Sequence, residues 1–400
     1  MTHVHELTTL LESKRELITD WMAKKRKEVP IPIYGSVDIR DAGWKVGVVD
    51  ANHFPAGFNN VAENDLDVLS SLFKTHIMRT QPNCKWVHIY PESHTRNQGY
   101  IENIATIQRL IQMAGFKCTI GSPELEDLGS LMGISGPLSL DQVILNGDDD
   151  LTIEGGKPDL ILLNNDLTNG KLPGLTAPNV SPPAEMGWHQ RRKSEHYACL
   201  QGYVNEIGEI LEIDPWHLMP EWFVSEDKCL TEVGCRTKLA GEIDAFIANI
   251  QSRYDALGIE RKPAVVMKND RGTYGLGIMI LTSGDAILNL SNRKINKLRY
   301  AKGGAEVDNY LIQEGIPTSM LTEEGEPVEP VVYLVDGEAA AWFYRINPKK
   351  SDMDNLNSPS ARFEDYSNSG HMYGEHAHGW HALLAELSML AMGAESNIER

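Results

Sequence analysis

The sequence predicts an α/β protein whose N-terminal half forms a doubly wound parallel sheet, and three observations support this prediction. Short apolar runs alternate with segments of helical periodicity. The runs are apolar throughout instead of alternating apolar with polar residues, which is typical of strands covered on both faces. Polar residues cluster directly after several of the runs, at the strand ends where parallel sheets bind ligands.

The elements of this half follow one another along the chain. Residues 5–28 are expected to form an amphipathic helix that ends in the basic run KKRK. The predicted strands are "WKVGVVD" (44–50), "KWVHIY" (85–90), "FKCTIG" (116–121) and "PDLILLNND" (158–166). Helices are expected between them, at residues 62–79 and 98–115.

The rest of the chain divides into two further regions. A proline-rich stretch at residues 172–183 marks a boundary, so the predicted domains are 1–180, 181–262 and 263–400. The middle region contains two predicted helices, 185–212 and 233–257. The last region contains the short strands AVVMK, GIMIL and YLIQEGI, a hairpin that turns at Asp336 and Gly337, and a C-terminal amphipathic helix.

Composition excludes several classes of function. The chain has 400 residues, of which 42% are hydrophobic and 23% charged, as in ordinary globular proteins. Its net charge is −19, so binding to nucleic-acid phosphates or to anionic membranes is not expected. The N-terminus lacks a signal-peptide pattern, and no apolar run reaches the roughly 18 residues of a membrane span. The five cysteines form no CxxC pair, and a cytoplasmic protein is expected.

The stretch "VVMKNDRGTYGLGIMIL" (265–281) predicts a phosphate site. Lys268 ends an apolar strand, and a glycine-rich loop follows before the chain returns as a second strand. Such a loop offers backbone N–H groups to phosphates while the lysine supplies positive charge. The patterns of P-loop and Rossmann proteins are absent. The candidate loop residues are Gly272, Thr273, Tyr274, Gly275 and Gly277, although an ordinary structural turn would have a similar composition.

Downstream motifs support a nucleotide site. The strand "NYLIQEGIP" (309–317) and the hairpin "EPVVYLVDGEAAAWFYRIN", which carries Arg345, follow the loop in the order found in ATP-grasp ligases. The tract resembles the nucleotide half of glutathione synthetases. The resemblance implies that Gln313, Glu314 and Ile316 hold the adenosine and that Lys238 is the second nucleotide lysine, with Lys193 as a rival. Lys268 and Arg345 are the expected catalytic residues.

The resemblance extends over the whole chain. The stretches "VGVVDANHFPAGFNNVAENDLD", "YPESHTRNQGYIENI" and "LLNNDLTNG", with those quoted above, resemble the proteobacterial, ATP-grasp class of glutamate–cysteine ligase. This resemblance implies an ATP-grasp fold behind a parallel-sheet N-terminal domain. It also implies ATP and Mg²⁺ as cofactors, and the joining of L-glutamate to L-cysteine as the first step of glutathione biosynthesis.

Polar residues at the predicted strand ends suit an amino-acid substrate. A cation such as Arg96 would bind the α-carboxylate of glutamate, and Glu92 or Asp166 would bind its ammonium group. Each of these residues could instead be a turn or capping residue. The other candidates in these clusters are Asn59, Asn60, Ser93, His94, Asn97, Asn164 and Asn165.

Candidate metal ligands are few. The Glu-x-Asn strand that holds Mg²⁺ in glutathione synthetases is not evident, and Asn355, Asn357 and Glu329 are the substitutes proposed from sequence. The histidines of "GHMYGEHAHGWH" (370–381) have no zinc spacing, so a polar loop is favoured there.

Two alternatives to the glutamate–cysteine ligase remain open from sequence. One is a glutathione synthetase or another ATP-grasp carboxylate–amine ligase. The other is a regulatory protein that binds nucleotide without turnover. The sequence also leaves a homo-oligomer open.

Overall fold

The computed structural model describes residues 7–147, 151–225, 230–271, 277–299, 309–365 and 375–398. Its helices are α1 (Thr8–Ser13), α2 (Arg15–Glu28), α3 (Leu66–Thr80), α4 (Gln98–Met113), α5 (Lys193–Leu211), α6 (Val233–Leu257), α7 (Asp285–Leu288), α8 (Asn292–Arg299) and α9 (Glu375–Glu395). Its strands are β1 (Tyr34–Asp41), β2 (Val46–Asn52), β3 (Trp86–Pro91), β4 (Lys117–Ile120), β5 (Ser130–Met132), β6 (Pro137–Ser139), β7 (Val143–Leu145), β8 (Leu151–Ile153), β9 (Leu160–Asn164), β10 (Val180–Ser181), β11 (Trp222–Ser225), β12 (Val265–Asn269), β13 (Met279–Leu281), β14 (Tyr310–Glu314), β15 (Val328–Val335), β16 (Glu338–Ile346) and β17 (Arg362–Asp365).

A parallel sheet is present, which confirms the predicted α/β class, but its membership differs from the prediction. It has the order β10-β9-β3-β4, and its register pairs Val87 with both Leu160 and Cys118. Helices α3 and α4 pack on it through residues such as Phe73 and Ile107. The predicted first strand, 44–50, is not part of this sheet. It lies in β2, which pairs with β1 in an antiparallel sheet. The sequence pattern assigned it to the parallel sheet because β1 was not recognised as a strand.

That antiparallel sheet is the largest, with five strands in the order β17-β16-β15-β1-β2. The predicted hairpin is confirmed as β15 and β16. Asp336 and Gly337 turn between them with φ of 55° and 80°, the left-handed values that a tight two-residue turn requires. One face of the sheet is apolar and packs on α5 and α9 through residues such as Val37, Ile39 and Leu384. The opposite face carries the polar residues described below.

A third sheet holds the predicted phosphate loop. Its order is β11-β14-β12-β13, all antiparallel, and Lys268 pairs with Leu311 across β12 and β14. The chain between β12 and β13 includes Gly272, Thr273, Tyr274 and Gly275, which lie outside the described residues. A separate core beneath this sheet includes Ile243, Met267 and Ile312, with α6 covering it.

The polypeptide crosses the predicted boundaries. Strands β1 and β2 precede residue 180, yet β1 pairs with β15, which follows residue 263. The division 1–180, 181–262 and 263–400 stays a prediction. No helix in the described part of the chain is long and apolar enough to cross a membrane. Cys235 takes part in a disulfide bond, which the absence of CxxC pairs did not indicate.

Candidate active site

The three sheets meet around a cavity of about 420 Å³. Its floor is the polar face of the five-stranded antiparallel sheet. One wall is the third sheet, with Val266, Lys268 and Gln313. The opposite wall is formed by the carboxyl ends of the parallel strands. Because residues from all three sheets line one space, groups far apart in sequence can act on one ligand.

The floor is charged because alternate residues of a strand point to the same face. On β1, the residues facing the cavity are Ser36, Asp38 and Arg40, while Val37 and Ile39 face the core. Strand β15 contributes Glu329, Val331 and Tyr333, strand β2 contributes Asp50 and Asn52, and strand β16 contributes Phe343 and Arg345.

Four of these floor residues form a buried ionic network. Arg345 Nη1 donates to Asp38 Oδ2 at 2.8 Å and to Glu329 Oε1 at 2.5 Å. The other oxygen of Glu329 accepts a hydrogen bond from Arg40 Nε. Burial would raise the pKa of Glu329, but Arg40 and Arg345 lower it below its ordinary value. The Nε of Arg345 is buried and has no hydrogen-bond partner among the described residues.

Two lysines converge beside this network. Lys268 Nζ donates to the Val49 carbonyl at 2.7 Å, and Lys193 Nζ contacts Asp50 Oδ1 at 2.5 Å. Burial lowers the pKa of Lys268 to about 8, against the attraction of Asp50. Burial opposes ionisation of Asp50 as well, but the two lysines hold its pKa below its ordinary value. The site therefore offers two cations with a single carboxylate between them.

The predicted adenosine residues all line the cavity beside the third sheet. Their side chains differ in whether they are free to contact a ligand. Glu314 is buried against the ammonium group of Lys45, and its Oε1 also lies 3.3 Å from Tyr254 Oη. This pairing makes Glu314 a poor acceptor for ribose hydroxyls. Gln313 is buried, and its Oε1 has no hydrogen-bond partner among the described residues. Ile316 contributes apolar surface.

Of the two candidates for the second nucleotide lysine, Lys193 lines the cavity and Lys238 does not. The side chain of Lys238 is 61% exposed on α6, 4.0 Å from Glu242, and it does not line the cavity. Lys193, the rival candidate, lines the cavity at the start of α5. Helix α6 buries Leu239 and Ile243 toward its sheet, and this orientation turns Lys238 outward. Gly277 ends the loop with φ of 76°, a conformation that favours glycine.

On the opposite wall, five of the ten predicted substrate residues line the cavity. They are Asn60, Glu92, Asn97, Asn164 and Asp166. Two of them are engaged in the fold. Asn164 Nδ2 donates to Pro55 O and Tyr34 Oη, and Asn97 Oδ1 accepts from Tyr100 N at the start of α4. Glu92 Oε1 accepts from Asp166 N at 2.9 Å, which joins two strand ends.

The other five predicted substrate residues do not line the cavity. Asn59, Ser93 and Arg96 are exposed, and Asn165 is buried with its amide bonded to Pro91 O. His94 contacts Glu92 Oε2 at 3.1 Å from outside. Arg96 is therefore unsuited to hold the glutamate carboxylate here, and Arg40 and Arg345 are the guanidinium groups inside the cavity. Of these two, Arg345 is one of the two expected catalytic residues.

The predicted metal ligands line the cavity without forming a metal site. Both oxygens of Glu329 are taken by Arg40 and Arg345, and Asn355 Oδ1 accepts from Asn357 N at 2.9 Å. The described residues contain no group of three or more His, Cys, Asp or Glu that could hold a metal ion. The side chains that the structure describes thus do not by themselves form a pre-formed divalent-cation site. Of the C-terminal histidines, His381 is buried with Nε2 2.9 Å from Asp41 Oδ2, which is a structural contact.

Sequence reasoning missed much of the floor of the cavity, although it named Glu329 and Arg345. Ser36, Asp38, Asp50, Asn52 and Tyr333 were not among the candidates. A signal was available, because "SVDIRD" (36–41) alternates polar with apolar residues as a half-buried strand does.

Comparisons with known proteins identify the family of the chain. The family model described as "GshA: Glutamate-cysteine ligase" matches residues 8–394. A crystal structure from Methylobacillus flagellatus KT, provisionally named a gamma-glutamylcysteine synthetase, is 28% identical with a TM-score of 0.89. That alignment covers 98% of this chain and 96% of that one.

Two further solved structures are much more distant. They are D-alanyl-alanine synthetase A from Vibrio cholerae (12% identity, TM-score 0.33, 75% of this chain and 80% of that one) and a glutathione synthetase-like effector from Globodera pallida (9%, 0.37, 90% and 81%). At these TM-scores neither bears on the fold or the function. No curated protein matches the sequence. The match of the family model over nearly the whole chain shows that this protein belongs to the glutamate–cysteine ligase family.

Proposed function

We propose that the cavity joins the γ-carboxylate of L-glutamate to the amino group of L-cysteine, with ATP as the energy source and γ-glutamyl phosphate as the intermediate. The observation that carries the proposal is that Lys193, Lys268 and Arg345 line one cavity together with residues of both walls. One wall then suits a nucleotide and the other an amino acid.

ATP is expected on the wall of the third sheet. Val266, Ile278 and Ile280 offer an apolar surface for the base, and the Oε1 of Gln313 is a buried acceptor beside them. The triphosphate would extend toward Lys268 and Lys193, which would exchange Val49 O and Asp50 for phosphate oxygens. The loop residues Gly272, Thr273, Tyr274, Gly275 and Gly277 stay the predicted donors of backbone N–H groups.

Glutamate is expected on the opposite wall. Glu92 and Asp166 would bind its ammonium group, and Asn60 and Asn52 offer neutral hydrogen bonds. Its γ-carboxylate would face Arg345, whose guanidinium group would neutralise the negative charge there.

The reaction then needs two displacements. A γ-carboxylate oxygen attacks the terminal phosphorus, the bond from that phosphorus to ADP breaks, and γ-glutamyl phosphate forms. The neutral amine of cysteine attacks the acyl carbon, the bond from that carbon to the phosphate oxygen breaks, and the amine proton leaves with the products. The residues contribute mainly by positioning the reactants and neutralising charge, and the buried cavity limits hydrolysis of the acylphosphate.

Mg²⁺ is the divalent cation we propose, because it binds proteins largely through substrate phosphates and few carboxylates. Glu329, Asn355 and Asn357 stay its predicted protein ligands. Glu329 would have to release Arg40 or Arg345 in order to coordinate a cation. When bound, the ion would supply further charge neutralisation at the phosphates.

The partners proposed are the small-molecule substrates, without nucleic acid or membrane, in agreement with the net charge of −19. A cytoplasmic location and a homo-oligomer stay predictions.

Release of ADP tests the proposal. Purified protein with ATP, Mg²⁺ and glutamate should release ADP in proportion to added cysteine. Release that requires γ-glutamylcysteine and glycine would instead identify a glutathione synthetase. Nucleotide binding without release under any acceptor would identify a regulatory protein.

A further inference from the structure

The two cavity lysines lie on different elements, and one buried aspartate connects those elements. Lys268 is in β12, and Lys193 is the first residue of α5. Asp270 follows β12 directly and is 1% exposed. Its backbone N–H donates to Asn309 O, and its carbonyl and carboxylate contact the beginning of α5, far away in the sequence.

Asp270 makes three hydrogen bonds to two successive residues of α5. Its carbonyl accepts from Lys193 N, its Oδ1 from Ser194 N and its Oδ2 from Ser194 Oγ, each at 2.8 Å. Arg192 Nη1 lies 3.5 Å from Oδ2. The helix has no cap from its own N-cap residue, Arg192. Its first two N–H groups donate instead to the backbone carbonyl and to the carboxylate of Asp270, which follows a strand of the third sheet.

This arrangement fixes the two lysines relative to each other. Lys268 stands two residues before Asp270, and Lys193 is held through its own backbone N–H. The two ammonium groups contact successive residues of β2: Lys268 contacts Val49, and Lys193 contacts Asp50. A carboxylate at a helix N-terminus is also favoured by the helix dipole.

We propose that Asp270 is a positioning residue that sets the separation of Lys193 and Lys268 so that both can bind one triphosphate chain. The proposal rests on the proposed function only in assigning the phosphates to this cavity. It concerns nucleotide binding and not the identity of the acceptor amine.

Equilibrium binding of ATP to full-length variants tests it. Asp270→Ala should weaken ATP binding about tenfold, the value of one charge-assisted hydrogen-bond set, and leave glutamate binding within about twofold. The double variant Asp270→Ala with Lys193→Ala should bind ATP no more than about twofold more weakly than Lys193→Ala alone, because Asp270 acts through Lys193.

Asp214→Ala is the matched control. Asp214 Oδ1 also caps a helical turn, at Trp216 N (3.0 Å), and Asp214 also pairs with an arginine, Arg253, but it does not line the cavity. This control should lower the melting temperature without changing ATP affinity.

Three results would overturn the proposal. One is a lowered melting temperature with unchanged ATP affinity in Asp270→Ala. The second is a double variant whose loss of ATP affinity equals the product of the losses in Asp270→Ala and Lys193→Ala. The third result applies if Asp270→Ala does not fold. It is an unchanged ATP affinity in both Asp270→Asn and Ser194→Ala. A protein that binds ATP but releases no ADP with cysteine would refute the proposed reaction. The role of Asp270 in ATP binding could still be tested in that protein.

Discussion

Lys268 has a charge that depends on pH in the range where the protein can be assayed. Burial lowers its pKa from 10.5 to about 8. Below that value the ammonium form can neutralise phosphate, and above it the neutral amine cannot. ATP affinity should therefore fall as pH rises above about 8, by up to tenfold per pH unit. Calorimetric titration of ATP at several pH values measures this.

Lys268→Arg is the control for that dependence. A guanidinium group stays protonated throughout this pH range. The ATP affinity of Lys268→Arg should therefore not change as pH rises above 8, even if it is lower than that of the unsubstituted protein. Persistence of the decline in Lys268→Arg would assign it to another group. The same pKa shift has an opposite effect on the free protein. The unfolded chain binds the proton more tightly than the fold does, so stability from this residue should rise between about pH 8 and 10.5.

Lys193 and Lys238 are the two candidates for the second nucleotide lysine, and they differ in environment. Lys193 contacts Asp50 inside the cavity, whereas Lys238 is largely exposed. We expect Lys193→Ala to weaken ATP binding about tenfold or more, and Lys238→Ala to change it less than twofold. A larger loss in Lys238→Ala would support the assignment made from family resemblance and refute the one made from the cavity.

At the scale of elements, the sequence predicted most buried strands and helices and missed β1. Continuous apolar runs such as "LILL" in β9 have one interpretation, and α6 begins and ends where its periodicity does. Strand β1 carries five charged or hydroxyl residues in eight, and all eight positions are buried. Sequence patterns do not show that a polar strand is buried in the centre of the molecule, because the partners that compensate its charges, Arg345 and Glu329, are about 300 residues away.

The same limit explains the site residues. Lys268, Gln313 and Glu92 follow local motifs, and the structure places all three at the cavity. Arg96 belongs to the same kind of polar cluster, yet it is exposed, because the loop direction after β3 depends on tertiary packing. Local sequence thus indicated residues of both walls and, on the floor, only Glu329 and Arg345, because long-range pairing forms the rest of the floor.

Strand β1 also holds the segment at residues 352–354 in place, which leads to a prediction about Arg40. Besides Glu329, Arg40 donates to the carbonyls of Asp352 (2.7 Å) and Asp354 (2.5 Å). Arg40→Ala would leave Glu329 with one cationic partner and free the segment. We expect unfolding free energy to fall by about 3–5 kcal/mol and amide exchange to accelerate at residues 352–354. Denaturant titration and hydrogen exchange measure these.

Arg261→Ala is the matched control, because Arg261 holds Asp352 from the surface at 2.6 Å with both side chains about one-third exposed. It should cost less than about 1 kcal/mol. An equal loss of unfolding free energy in the two variants would show that the buried ionic network contributes nothing to holding residues 352–354.

At the scale of the whole molecule, the connections between sheets bear on how the chain folds. The central sheet takes β1 and β2 from the N-terminal region and β15 to β17 from the C-terminal region. The last helix adds a second connection. Glu395 in α9 accepts hydrogen bonds from Arg191 Nη2 and Nε, and Arg191 Nη1 donates to Ala51 O. His53 Nε2 lies 2.9 Å from the same carboxylate.

A fragment of residues 1–180 would lose both connections. Strand β1 would lack β15, and Asp38 would lack Arg345, its buried partner. We therefore expect the fragment to show no cooperative unfolding transition in circular dichroism, although it contains the parallel sheet. Adding residues 181–400 should restore a transition if β1 can pair with β15. A fragment 1–180 that unfolds cooperatively alone would instead make the N-terminal region an independent domain, and the predicted boundary at residue 180 would then be a folding boundary as well.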